Sequence, residues 1–297
     1  MGESTQVIPI LSSMHTHSRY CDGHGEIAEY AKSAEAGGIA AYGASGHAPV
    51  PFPCDYAIDL AALDSYCQDV RDAAREYRGR LPIYLGLELD FLPGLDDFYR
   101  RELFARGLEY VVASVHYVGD SAWEPWCYDE TEESFQAEIS RRHGGNARPA
   151  VEDYYARLAQ MAREAPTWGV PVIVGHFDRI ALWNAADRYF PTDDTWYAAL
   201  VDNALTAIAE SKLVLEINTS GWHKPVGRPN PDLRILRRAA KLGIPAIVSA
   251  DAHRPEHVAR DFARAIEILR EAGYAEIIVP STQGWQPRHL TDSQPAR

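Results

Sequence analysis

The sequence predicts an α/β fold whose parallel strands close into a β/α barrel, with a metal site at the C-terminal ends of the strands. Two observations support this. Short apolar runs alternate with amphipathic helical stretches until seven strands have passed, which is the pattern of a parallel sheet with crossover connections. Histidine, aspartate or glutamate then stands at or near the C-terminal end of nearly every run, the end at which β/α barrels carry their active sites.

The first run, residues 8–13, ends in His15-Thr16-His17, two imidazoles at i and i+2 that an extended backbone points the same way, followed by Asp22 and His24 in a glycine-rich turn. The stretch 26–37 reads as a helix closed by Gly37-Gly38, and the second strand, 39–45, ends at His47. A helix over 59–78 precedes a third strand over 83–91 that carries Glu88 inside an apolar run. A helix over 95–106 leads to the fourth strand, 110–115, which delivers His116. The polar segment 119–149 is too long for an ordinary βα connection and carries Trp123, Trp126, Tyr128 and Phe135 among acids. It reads either as a lid whose acids help hold a cationic substrate or as an excursion packed on the rim. After a helix over 151–165, strands over 171–174, 213–217 and 246–249 end in His176, in Asn218-Thr219-Ser220-Gly221, and in Asp251-Ala252-His253.

No composition shift or low-complexity linker divides the 297 residues, so residues 1–297 read as one domain, and 46% hydrophobic content allows a large core. A net charge of −13 argues against a nucleic-acid footprint. Cys21, Cys54, Cys67 and Cys127 are irregularly spaced with no C-x-x-C, as in a reduced cytoplasmic protein, and Cys21 reads as a space-filling thiol beneath the site. No apolar run approaches ~18 residues and the N-terminus lacks a leader pattern, so neither a membrane nor an export route is expected.

Each site residue has an ordinary reading taken singly: Glu88 as a loop-capping carboxylate, His116 and His176 as hydrogen-bonded core histidines, Asp251 as a helix N-cap. Together they do not, because His15, His17, His47, Glu88, His116, His176, Asp251 and His253 converge on one barrel mouth, where so many imidazoles and carboxylates need cations among them. Two or three divalent ions are implied, and nitrogen and oxygen donors suit Zn, Mn or Fe. Such a cluster activates water and clamps the oxygens of an in-line displacement, which is phosphoester hydrolysis. G-x-S-x-G, phosphate-cradling glycine loops and G-x-G-x-x-G are absent in suitable contexts. His143, His257 and His289 read as surface residues.

The series MHTHSRYCDGHG, SGHAPVPF, GLELDFLPG, SVHYVG, GHFDRI, LEINTSGWHKP and SADAHRPEHV resembles the polymerase and histidinol phosphatase (PHP) superfamily, in its histidinol-phosphate phosphatase branch. The resemblance implies a distorted TIM-like (β/α)7 barrel with a trinuclear metal centre. It would place His15, His17, Glu88 and Asp251 on one ion, Glu88, His116 and His176 on a second, and His47 and His253 on a third with Asp22 or His24, Asp22 being preferred. Asp251 would also handle the proton of the leaving alcohol, beside His253.

The substrate implied is a small phosphate monoester, first L-histidinol phosphate. The alternatives are another small phosphate such as a nucleotide, a C–N metallohydrolase of amidohydrolase type, disfavoured by the lack of a strand-borne lysine, and a polymerase accessory domain, disfavoured by the absence of a polymerase region and of a basic surface. Phosphate needs fixed cations beside the metals, and the candidates are Arg179, His223, Lys224 and Arg228, with Arg179 and Lys224 placed in the catalytic group. The loop after the sixth strand departs from the family pattern, with His223 where an arginine is expected.

Overall fold

The computed structural model describes residues 11–119 and 126–291. Ile8–Ile10 of the expected first strand and Trp123 of the polar segment lie outside them. In chain order the described elements begin with β1 (Ser12–Ser13), α1 (Ile27–Ala36), β2 (Ala41–Ala44), α2 (Leu63–Glu76), β3 (Ile83–Asp90), α3 (Asp96–Phe98) and β4 (Tyr110–Ser114). A small antiparallel pair, β5 (Tyr117–Val118) with β6 (Trp126–Cys127), and the helix α4 (Glu132–His143) follow. Then come α5 (Arg148–Glu164), β7 (Val172–Val174), α6 (Thr195–Glu210), β8 (Val214–Asn218), α7 (Leu233–Lys241), β9 (Ala246–Ser249), α8 (Phe262–Ala272) and an antiparallel hairpin, β10 (Glu276–Ser281) with β11 (Gly284–His289).

Seven of these strands form one parallel sheet in the order β1-β2-β3-β4-β7-β8-β9. Its two edges meet just beyond the strands: the His17 N–H donates to the Ala252 carbonyl at 2.9 Å and the Ala252 N–H to that of His15 at 3.2 Å. The sheet is thus a nearly closed barrel, and it closes at the very residues that flank the site.

Along the strands, alternate side chains fall into two clusters. Met14, Tyr110, Val112, Ile173 and Ile247 fill the barrel interior, while Val111, Ala113, Val172, Val174, Ala246 and Val248 face the helices. Tyr110 is the largest interior group, and its hydroxyl donates to the Met14 carbonyl at 2.8 Å. It fits because Gly43 and Gly86 have no side chain: a Cβ at either would lie 2.3 Å from a Tyr110 atom. Overpacking of that kind costs about 1–3 kcal/mol.

Local chemistry sets the helix starts. Glu26 and Glu29 form a reciprocal capping box at α1, and the Asp232 carboxylate accepts the Ile235 N–H at 2.9 Å at the head of α7. α5 begins at Arg148, three residues before the expected start, since Pro149 sits in its first turn, where its missing N–H costs nothing. The expected helix over 95–106 is a short α3 continued by a π-helical turn, Tyr99–Leu103, and a 3-10 turn, Phe104–Arg106. Part of the polar segment is the capped helix α4, which buries only Phe135 and Ile139 and so carries a weak amphipathic signature. Among the described residues no helix is long and apolar enough to cross a membrane.

Candidate metal centre

Glu88 lies near the C-terminal end of β3, 1% exposed, with imidazoles on every side of its carboxylate. Its Oε2 is 3.1 Å from His15 Nε2, 3.4 Å from His17 Nε2 and 3.2 Å from His47 Nδ1. Its Oε1 is 3.0 Å from His176 Nε2, which is itself 3.0 Å from His116 Nε2. His17 Nε2 is also 3.1 Å from Asp251 Oδ1, and on the outer side His253 Nε2 is 3.0 Å from Asp22 Oδ2. Asp251 has φ 49°, a left-handed backbone that costs a non-glycine residue and that aspartate tolerates better than most.

Three groups of ligand atoms could hold ions: His15, His17 and Glu88; His47, Glu88 and His116; and His17, Asp22, His47 and His253. They share members, His17 and His47 each presenting one ring nitrogen toward Glu88 and the other toward Asp22. His24 is in none of them. It is exposed, whereas Asp22 lies 3.5 Å from His17, 3.8 Å from His47 and 3.0 Å from His253; between the two, Gly23 packs on the backbone of His17, where a Cβ would lie 2.3 Å from the carbonyl carbon.

The fit to metal ions rests on unpartnered donors. His15 Nε2, His17 Nε2 and His47 Nδ1 are buried without a hydrogen-bond partner, and all three face one carboxylate oxygen. The electrostatics agree in sign. Burial opposes charge on His15, yet Glu216, Glu88 and Asp251 hold its pKa well above the ordinary value. His116 is likewise pushed up to about 9 against its burial, chiefly by Asp90. In His47 burial prevails, lowering it to about 4 despite Glu88. Burial would also neutralise Glu88 and Asp251, but the surrounding imidazoles, His15 first, keep both carboxylates well below their usual range. The cluster therefore attracts positive charge, supplied by protons or by divalent ions.

A second layer holds the rings. His116 Nδ1 donates to Asp90 Oδ1 at 2.5 Å and His15 Nδ1 to Glu216 Oε1 at 2.7 Å. Asn218 Nδ2 and Ser220 Oγ donate to Asp251 Oδ2 at 3.3 and 3.1 Å. Asp90, the last residue of β3, and Glu216, in the middle of β8, were not among the candidates read from the sequence. The available signal was spacing, since Asp90 shares a strand face with Glu88 and Glu216 stands two residues before the end of β8.

A cavity of about 720 Å³ opens above this floor, lined among others by Tyr56, Tyr117, Asp129, Glu130, Arg179 and Lys224. Arg179 is fixed through Nε on Asp129 Oδ2 at 2.9 Å, while its buried Nη1 has no partner. The other predicted anchors separate. Lys224 lines the cavity, but Arg228 is spent on the buried Asp178, Nη1 to Oδ2 2.6 Å, and His223 lies between Asp261 and Arg260 at 2.6 and 2.8 Å. Neither Arg228 nor His223 lines the cavity. In the segment 119–149, Trp126, Tyr128 and Phe135 are buried, with Trp126 against Phe135 and Tyr128 against Tyr154. Cys21 Sγ sits 3.7 Å from His17 Nδ1, outside the ligand groups.

Residues 13–220 match the PHP domain family. The chain belongs to that family. A probable histidinol-phosphatase of Deinococcus radiodurans is 34% identical over 267 residues, covering 89% of this chain and 94% of its own length. The histidinol-phosphatase of Bacillus subtilis (strain 168) is 29% identical over 268 residues, with 85% and 97% covered. The histidinol phosphate phosphatase of Lactococcus lactis, solved in complex with zinc, L-histidinol and phosphate, has the same fold, with a TM-score of 0.68 at 20% identity over 93% of this chain and 98% of that one.

The PHP match ends at Ser220, short of Asp251 and His253. Both stand just beyond the end of β9, and closure of the barrel edge brings Asp251 to His17 and His253 to Asp22.

Proposed function

We propose that this PHP-family protein is a metal-dependent phosphomonoesterase that converts L-histidinol phosphate and water to L-histidinol and phosphate, a step of histidine biosynthesis. The observation that carries the reading is the convergence of three unpartnered, buried imidazole nitrogens on Glu88 Oε2, at the floor of an open cavity. Two to three ions, Zn, Mn or Fe, are assigned to His15, His17, Asp22, His47, Glu88, His116, His176, Asp251 and His253. Bound there, they lower the pKa of water and offset the charge of a phosphoryl group.

The chain's own residues do the rest. Arg179, oriented through Nε by Asp129, turns its unpartnered Nη1 toward the phosphate, and Lys224 adds a second cation on the rim. Asp251 is ionised and held at Oδ2 by Asn218 and Ser220, so it accepts a proton from the attacking water and returns it to the leaving alcohol. Tyr56, Tyr117 and Glu130 line the cavity, and their rings and carboxylate suit the cationic ammonium and imidazole of histidinol. The 34% identity to the Deinococcus protein, over nearly the whole of both chains, supports this substrate over other phosphates. The same reading treats residues 1–297 as one cytoplasmic barrel domain acting on a small molecule, with no nucleic-acid or membrane partner.

A phosphate-release panel on the metal-loaded protein tests it, comparing histidinol phosphate, nucleoside monophosphates and p-nitrophenyl phosphate. Histidinol phosphate is expected to have the highest kcat/KM. A preference for nucleotides would overturn the substrate, and full turnover in excess chelator would overturn the chemistry.

A further inference from the structure

We propose that Glu216 is a positioning residue of the metal centre, a single buried carboxylate that sets the ring of His15 and the backbone of His176 together. The inference rests on the metal reading above. Glu216 is fully buried in the middle of β8, behind the ligand cluster and away from the cavity lining.

Both of its oxygens are engaged, each by a different strand end. Oε1 accepts from His15 Nδ1 at 2.7 Å, beyond β1. Oε2 accepts the His176 backbone N–H at 2.8 Å, beyond β7, and Asn218 Nδ2 at 3.0 Å, at the end of β8. Asn218 Nδ2 reaches on to Asp251 Oδ2 at 3.3 Å, beyond β9. One carboxylate thus links the places from which His15, His176 and Asp251 project.

The bond to His15 has a definite chemical consequence. An ionised carboxylate only accepts, so Nδ1 keeps its proton on Glu216, and Nε2 is the nitrogen whose lone pair becomes free for an ion when the ring gives up its second proton. That Nε2 is the buried, unpartnered atom 3.1 Å from Glu88 Oε2. The carboxylate–histidine pair therefore selects the tautomer that can ligate an ion and raises the basicity of the nitrogen that does so. Among the described residues no lysine or arginine lies within ion-pair distance of Glu216, and His15 is its one charged partner. A buried carboxylate in that setting is costly for a residue with a packing role alone, since apolar groups of similar volume serve such sites as well or better.

Glu216→Gln is the discriminating variant. The amide puts an N–H₂ where one of two acceptors is needed: facing His15 it pushes the ring proton to Nε2, and facing His176 it opposes the backbone N–H. Zinc affinity, measured by competition with a chromogenic chelator, should fall about 10- to 100-fold. The visible absorption of the cobalt-substituted protein should change, while the melting temperature of the metal-free protein stays within a few degrees of wild type. A lower metal-free melting temperature with unchanged zinc affinity and cobalt spectrum would reduce Glu216 to packing and overturn the proposal. If the variant does not fold, wild-type protein still decides, because ¹⁵N histidine-ring spectra must show His15 protonated at Nδ1. A proton on Nε2 of the metal-free protein at neutral pH, with Nδ1 bare, would overturn it. None of these readouts uses turnover, so a failed substrate panel and a failed Glu216 assignment are separable.

Discussion

The floor of the barrel mouth and its rim are both rich in charge, but they treat it differently. On the floor, imidazole nitrogens and carboxylate oxygens face one another with His15 Nε2, His17 Nε2 and His47 Nδ1 lacking hydrogen bonds. At and around the rim several charges already have their opposites: Arg141 and Arg142 with Glu138 beside the cavity, and Arg228 with Asp178 behind it. Arg179 belongs to both regions, paired at Nε and unpartnered at Nη1. Residues whose bonds are complete serve the fold, whereas those left incomplete in a buried setting mark where something else must bind.

The largest effect should come from the floor. Glu88→Gln removes the charge facing five of the histidines, and kcat should fall by well over ~100-fold together with loss of bound metal by elemental analysis, beyond the usual effect of an outer-layer change. Unaltered metal content would break the distinction at its strongest point. Next, Arg179→Ala and Lys224→Ala should lower kcat/KM by roughly 10- to 1000-fold, at ~1.4 kcal/mol per decade, with metal content unchanged. Kinetics indistinguishable from wild type in both would remove the rim from the reaction.

Arg228→Ala should instead act on stability, costing about 3–5 kcal/mol in denaturant unfolding because Asp178 is left buried without its partner, with kcat/KM of the folded fraction near wild type. A pure kcat/KM loss would return Arg228 to the phosphate. A pH comparison tests whether the floor binds protons when metals are removed. His116 has its pKa raised to about 9, so its stabilising contribution is complete below ~6.5 and is lost as pH rises through 9. The chelated protein should therefore melt lower at pH 9 than at pH 6.5, and zinc should abolish that slope. The smallest change belongs to the loop after β1: His24→Ala should leave metal content intact, while Asp22→Ala should lower it.

Strand periodicity made the floor legible from sequence. Side chains at i and i+2 share a face, so His15 with His17 and Asp251 with His253 announce themselves wherever an apolar run ends. The same logic located Glu88, His47, His116 and His176, because parallel strands align their C-terminal ends. The hairpin β10–β11 and the helix α4 were not legible, one being short and exposed along β11 and the other burying only Phe135 and Ile139. Among the anchors, sequence proximity to the site could not separate Lys224 from Arg228, four residues apart on one loop.

Composition, the alternation of runs and the strand-end donors thus determined the barrel and the candidate ligands by themselves, since both follow from periodicities that the backbone imposes locally. Only the tertiary structure decided which charges are already satisfied. Arg228 meets Asp178 across 50 positions of sequence, His15 meets Glu216 across 201, and His253 meets Asp22 across 231. Pairings at that separation are set by closure of the barrel and by burial, which fix the partner of each ionised group in space and leave no mark on its neighbours in the chain.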